Sequence, residues 1–179
     1  MNTLKAEKRS MDVKAKKLRR EGFVTGNLFG REIEGSIPLK FTKKEIEVLL
    51  KNNNKGSQVM LELDGKTYDA LIKEVDYNPL AHTVEEVDFQ ALVSNEMVHS
   101  TAEIILENEE KVMSGVLQDE LKEVAYKALP ADLVDKIKVD VAGMKIGDTL
   151  RVKDLEIAKN KNIHITTDPE AVVATVTPV

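Results

Sequence analysis

The stretch Val59-Met60-Leu61-Glu62-Leu63-Asp64-Gly65-Lys66 decides the fold class. Successive side chains of a strand point to opposite faces, so the spacing of Val59, Leu61 and Leu63 predicts a strand with one buried face. Asp64-Gly65 then predicts a tight hairpin of type I′, whose two central residues both need positive φ. The same period of two recurs outward in both directions. It appears at Ile37, Leu39 and Phe41, at Ala102, Ile104 and Leu106, at Ile137, Val139 and Val141, and at Val172, Ala174 and Val176. Asn78-Pro79, Gly147-Asp148 and Asp168-Pro169 read as further turns. The chain is therefore expected to be mainly β.

Helices are few in this reading. Thr42-Lys-Lys-Glu45 is a capping-box pattern, in which Thr42 caps the first turn and Glu45 reaches back. Ile46, Leu49 and Leu50 follow as one apolar face, and Asn52-Asn-Asn-Lys-Gly56 ends the helix. A second short helix is expected at Ala131–Lys136, after Pro130. Gly22, Gly26 and Gly30 flank a strand expected to put Phe23 or Phe29 in the core. In Val84-Glu-Glu-Val-Asp-Phe89 the alternation is imperfect. It sets Val84, Glu86 and Asp88 on one side and Glu85, Val87 and Phe89 on the other. Asp88 is placed there to hold a basic side chain in position.

Composition narrows the classes of function. The 179 residues are 42% hydrophobic and 32% charged but only 4% aromatic, so the core must be built from aliphatic side chains. The absence of cysteine excludes disulfides, thiolate metal sites and cysteine nucleophiles. The start, Met1 to Arg9, has no apolar signal region, and no apolar run approaches the roughly 18 residues that span a membrane. A cytoplasmic chain without a membrane partner is expected. His82, His99 and His164 are isolated, and no serine sits in a Gly-x-Ser-x-Gly elbow. Paired acids such as Glu109-Glu110 point to opposite faces if they lie in strands. No catalytic residue, metal site, cofactor or small-molecule substrate is expected, and the chain does not read as an enzyme.

Charge is distributed unevenly. The net charge is −5, yet residues 1–20 carry Lys5, Lys8, Arg9, Lys14, Lys16, Lys17, Arg19 and Arg20 against Glu7 and Asp12. The sign of the balance changes near residues 92–96, which sets expected domains at 1–93 and 94–179. Five cations fall within Lys14–Arg20, with Leu18 among them as an anchor onto the fold. Clustered cations neutralise phosphates and release counterions, but such a block can equally be a solvated tail. Charge alone leaves both readings open.

The residues that separate them resemble a known family. Leu4-Lys-Ala-Glu-Lys-Arg9, Lys16-Lys-Leu-Arg-Arg-Glu-Gly22, Leu28-Phe-Gly30, Asp64-Gly65, Leu71-Ile-Lys-Glu-Val-Asp-Tyr-Asn-Pro79 and Val87-Asp-Phe89 follow one another in the first half. Ala125-Tyr-Lys-Ala-Leu-Pro-Ala-Asp-Leu133, Ile137-Lys-Val-Asp-Val141, Ile146-Gly-Asp148 and Val152-Lys-Asp-Leu155 follow in the second. In order and spacing they resemble the bacterial large-subunit ribosomal protein L twenty-five family, in its long two-domain form, general stress protein CTC.

The resemblance implies an N-terminal β-barrel that binds loop E of 5S rRNA, then a second β-rich domain among other large-subunit ribosomal components. It implies phosphate and groove contacts from Arg9, Lys14, Lys16, Lys17, Arg19 and Arg20, and a barrel face carrying Phe29, Asp76, Glu86 and Asp88. Three of these depart from the family pattern. Phe29 stands where Tyr is usual, Glu86 where His is usual, and Asp76 where Gln is common. Carboxylates facing RNA repel phosphate, so Glu86 either accepts from a base amino group or marks a weakened site. The rival expectation is a divergent member acting as a stress or protein-interaction module.

Overall fold

The computed structural model describes residues 3–179; the first two residues of the basic N-terminal stretch lie outside the described residues. Contacts divide the chain into a first unit ending at Glu96 and a second running from Met97 to Val179.

The first unit is a closed barrel of six strands. They are β1 (Thr3–Lys8), β2 (Phe23–Phe29), β3 (Ser36–Thr42), β4 (Gln58–Leu63), β5 (Lys66–Asn78) and β6 (Thr83–Ala91), in the order β1-β3-β2-β6-β5-β4. Antiparallel neighbours alternate with two parallel seams, β1 with β4 and β2 with β6. Closure leaves no open edge for another chain to pair with. Between β4 and β5, Asp64 has φ 50° and Gly65 φ 78°, the two positive values a type I′ turn requires. Val59, Leu61 and Leu63 are buried, as their spacing predicts.

Two helices accompany the barrel. The longer, α2 (Lys43–Leu50), starts with both halves of the capping box formed: the Glu45 amide donates to Thr42 Oγ1 at 3.3 Å, and the Thr42 amide donates to Glu45 Oε2 at 3.4 Å. Ile46 and Leu49 are buried on its inner face. The shorter, α1 (Ala15–Arg20), lies in the basic block and buries only Leu18.

The strand β2 corrects one expectation. Val24 and Leu28 enter the core, whereas Phe23 and Phe29 are only partly buried and Lys40 Nζ lies 4.8 Å from the Phe23 ring centre. The aromatic pair inside is Phe41 with Phe89, centroids 5.4 Å apart. Gly26 explains how β2 fits so tightly against β6. A Cβ there would stand 1.9 Å from the Val87 carbonyl oxygen.

A second correction concerns β6. Its pairing with β5 runs Asp76 to Glu86 and then Tyr77 to Val84, so Glu85 is an extra, bulged residue. The bulge shifts the alternation by one. Val84 therefore packs against the core beside Val87 rather than sharing a side with Glu86 and Asp88.

The second unit has two sheets. The first contains β7 (Val98–Glu107), β9 (Glu123–Ala128), β10 (Lys136–Asp140) and β12 (His164–Ile165), ordered β10-β7-β9-β12. The other contains β8 (Val116–Asp119), β11 (Thr149–Arg151) and β13 (Val172–Thr177), ordered β11-β13-β8. Their core includes Ala102, Val124, Tyr126, Val152, Leu155 and Val173. The helix expected at Ala131–Lys136 is absent from these described residues. Only Pro130–Asp132 forms a single 3-10 turn, and Lys136 already begins β10. The reason is Tyr126, wholly buried, whose hydroxyl donates to the Val134 carbonyl at 2.6 Å and accepts from the Val134 amide at 2.7 Å. With both backbone groups of Val134 engaged by one side chain, the turn cannot continue as a helix.

Candidate nucleic-acid interface

The basic block becomes two different structures. Lys14, Lys16, Lys17 and Arg20 are exposed, and with Asp12 and Val13 they line an open depression of about 320 Å³. Lys17 makes one long i,i+4 ion pair with Glu21, at 3.9 Å. Among the described residues the side chains of Lys14, Lys16 and Arg20 form neither a hydrogen bond nor an ion pair. Four cations are thus gathered on one short element, and three of them are uncompensated.

Arg19 is turned inward instead. Its Nε donates to the Glu85 carbonyl at 3.1 Å, and Nη2 donates to Thr25 Oγ1 at 3.1 Å and lies 3.6 Å from Glu86 Oε2. The Glu85 carbonyl is available because the bulge at that residue disrupts the ladder. Thr25 is fully buried, and its hydroxyl donates to the same carbonyl at 3.3 Å. Arg9 is also partly buried; Nη2 donates to the Val13 carbonyl at 3.3 Å, and Nε has no hydrogen-bond partner among the described residues.

Beside this cluster the outer face of β2, β6 and β5 carries the acids. Register places Thr25 against Glu86, Glu86 against Asp76, and Asp88 against Glu74. Asp88 Oδ1 accepts from the Asn27 amide at 3.0 Å and from Asn27 Nδ2 at 3.3 Å, and Asn27 Nδ2 also donates to Glu86 Oε1 at 3.4 Å. In hydrogen bonding Asp88 thus holds Asn27 of β2, while the arginine held on this face belongs to Glu86. Burial pushes the Glu86 carboxyl above the ordinary carboxylate range. The Asp88 carboxylate pushes it the same way, Arg19 and Arg9 pull against the shift, and Asp76 adds to it. Phe29 is partly buried on the same strand, paired with Ser36 and Gln90.

The sequence-predicted residues therefore assemble around β2 and β6, apart from the outward cations of α1. Thr25, Asn27, the Glu85 carbonyl and Asn78, whose Nδ2 donates to Glu85 Oε1 at 2.9 Å, were not foreseen. The broken alternation at Val84–Phe89 was the one signal that pointed to them. Among the described residues no group of His, Asp and Glu side chains could hold a metal ion, and no helix is long and apolar enough to cross a membrane.

Comparison with known proteins covers both units. Residues 4–89 match the Ribosomal L25p family, and residues 97–179 match the C-terminal domain of ribosomal protein TL5. The chain is 31% identical to the large ribosomal subunit protein bL25 of Bacillus velezensis, over 99% of this chain and 89% of that protein. It is 32% identical to the bL25 of Carboxydothermus hydrogenoformans, over 94% and 87%. The bL25 of Akkermansia muciniphila is 30% identical, over 93% and 85%.

Proposed function

The chain belongs to the bL25 family of large ribosomal subunit proteins, and from that premise we propose that its first unit binds 5S rRNA at loop E. The observation that carries this reading is the exposed row Lys14, Lys16, Lys17 and Arg20, on and beside a short helix whose one buried side chain is Leu18. Such a row supplies the salt-sensitive share of RNA affinity. Arg9 extends it toward the barrel. Phe29, Asp76, Glu86 and Asp88 face the RNA beside it, where A-form geometry and non-standard pairs are read by shape and a few base contacts. Glu86 and Asp88 accept hydrogen bonds, which suits base amino groups and not phosphates. The second unit docks on neighbouring large-subunit components, and the protein works on the ribosome in the cytoplasm, without catalysis.

One titration tests the proposal: full-length protein against a loop E fragment and against a plain duplex of equal length, at two salt concentrations. Preference for loop E at the higher salt is expected. In Lys16→Ala the slope of log K against log salt should fall by about 0.7–0.9, the share of one phosphate contact. Equal binding to both RNAs, erased by salt, overturns the proposal. The acids Asp76, Glu86, Asp88 and Glu74 on one barrel face favour the second reading in that case, a stress or protein-interaction module that keeps the fold.

A further inference from the structure

The shorter helix is too weak to hold its own shape. Six residues are far below the roughly 12 at which an isolated helix becomes marginal in water. Its N-cap, Lys14, makes no side-chain cap bond, its first turn has no acid, and Leu18 is its one buried residue. A single leucine does not fix how so short a helix is turned about that contact, and the neighbouring ties, from Arg9 to the Val13 carbonyl and from the Lys43 amide to the Gly22 carbonyl, lie outside the helix itself. Yet the cations on it form a defined row, so a second attachment is needed.

Arg19 has the geometry of that attachment, and we infer that it is a positioning residue. Its guanidinium fork fastens α1 to the β2–β6 seam, through the Glu85 carbonyl, Thr25 Oγ1 and Glu86. The side chain is only 31% exposed, and Nε and Nη2 already face three protein oxygens, two acceptors at 3.1 Å and the Glu86 carboxylate at 3.6 Å, before any ligand arrives. Two of those acceptors are themselves unusual. The Glu85 carbonyl sits at a bulge, and the Thr25 hydroxyl is a wholly buried polar group. Both serve the arginine. A lysine cannot replace it, because a single ammonium lacks the rigid fork that reaches two acceptors at once.

The consequence for binding rests on the RNA reading above, whereas the fastening does not. Fixing α1 beforehand removes an ordering cost from association, and that cost is not ionic. Loss of the fork should therefore weaken RNA binding by a similar factor at every salt concentration. Loss of a phosphate contact instead changes the salt slope.

The test compares wild type, Arg19→Lys, Thr25→Val and Lys16→Ala, all full length, by native-state amide exchange and by loop E titration across salt. In Arg19→Lys the amides of Leu18 and Glu21, which donate to the Lys14 and Lys17 carbonyls, should exchange about tenfold faster, while amides of β4 and β5 keep their protection. Affinity should fall about threefold to tenfold with the slope unchanged. Thr25→Val, which alters no charge, should move both readouts in the same direction. Lys16→Ala should lower the slope and leave exchange alone. Exchange unchanged in Arg19→Lys overturns the inference, as does near-normal affinity in that variant, the signature of a phosphate contact that any cation can make. If wild type shows no preference for loop E, the RNA reading falls. The exchange comparison still decides whether Arg19 fastens the helix.

Discussion

Glu86 is held in surroundings that oppose its charge. Partial burial, Asp88 and Asp76 all favour the protonated acid, and Arg19 and Arg9 offset them only in part. Its folded-state pKa lies above the unfolded value, so its contribution to stability is complete below the ordinary glutamate range and is lost as pH rises through the raised value. Glu86→Gln removes the charge and, like the protonated acid, keeps a carbonyl oxygen that can face either Asn27 or Arg19, which meet different oxygens of the carboxylate. Urea unfolding should therefore give similar midpoints for the two chains near about pH 4 and a higher midpoint for Glu86→Gln by about pH 7. A lower midpoint for the variant at neutral pH would mean that the 3.6 Å pair with Arg19 outweighs burial and repulsion together.

Elements show where the physics is local and where it is not. The capping box of α2 is a local device, and Thr42→Ala should cost about 1 kcal/mol in urea unfolding. Gly26 acts between strands: its Cβ position lies 1.9 Å from the Val87 oxygen, so Gly26→Ala must force β2 from β6 and should cost about 3 kcal/mol. A cost below about 1 kcal/mol would show that the seam yields. The same division explains what was legible in the sequence. The Asp64-Gly65 hairpin, the capped helix and the strands around Leu39, Leu61, Ile104 and Ile137 could be read because their signals lie within a few residues. The α1 helix could not, since its sole buried residue gives no period and its second attachment, Arg19, is 66 residues from Glu85 in the chain. The bulge at Glu85 showed only as a flawed alternation. The helix expected after Pro130 failed because Tyr126 claims the Val134 backbone, and nothing near Val134 in the sequence announces that bond. At the candidate site the residue types were visible beforehand, but which cations face outward and which is tied to the barrel depended on these long-range contacts.

Each unit of the chain carries a titratable group shifted by desolvation, the wholly buried Tyr126 and the half-buried Lys73, and alkaline pH should separate the two units. In the second unit, burial raises the Tyr126 hydroxyl above its ordinary value of 10.0, against the pull of its bond with Val134. Tyr126 is an acid that binds its proton more tightly when folded, so its stabilisation holds below the unfolded value and is lost as pH rises past it. In the first unit, burial lowers the Lys73 ammonium below 10.5, Glu74 opposing and Lys55 assisting. There the unfolded chain binds the proton more tightly, so stability increases with pH until the unfolded value is reached. Calorimetry of the full chain between about pH 9 and pH 11 should therefore show two transitions that respond differently to pH, that of the second unit falling while that of the first holds or rises. Tyr126→Phe removes the titrating hydroxyl and strands the Val134 amide and carbonyl. It should lower the second transition at neutral pH by the equivalent of about 2 kcal/mol and flatten its alkaline decline. Lys73→Met should flatten the pH dependence of the first transition alone. A single transition that falls with pH in every variant would mean that the two units unfold as one and that Tyr126 dominates the whole chain.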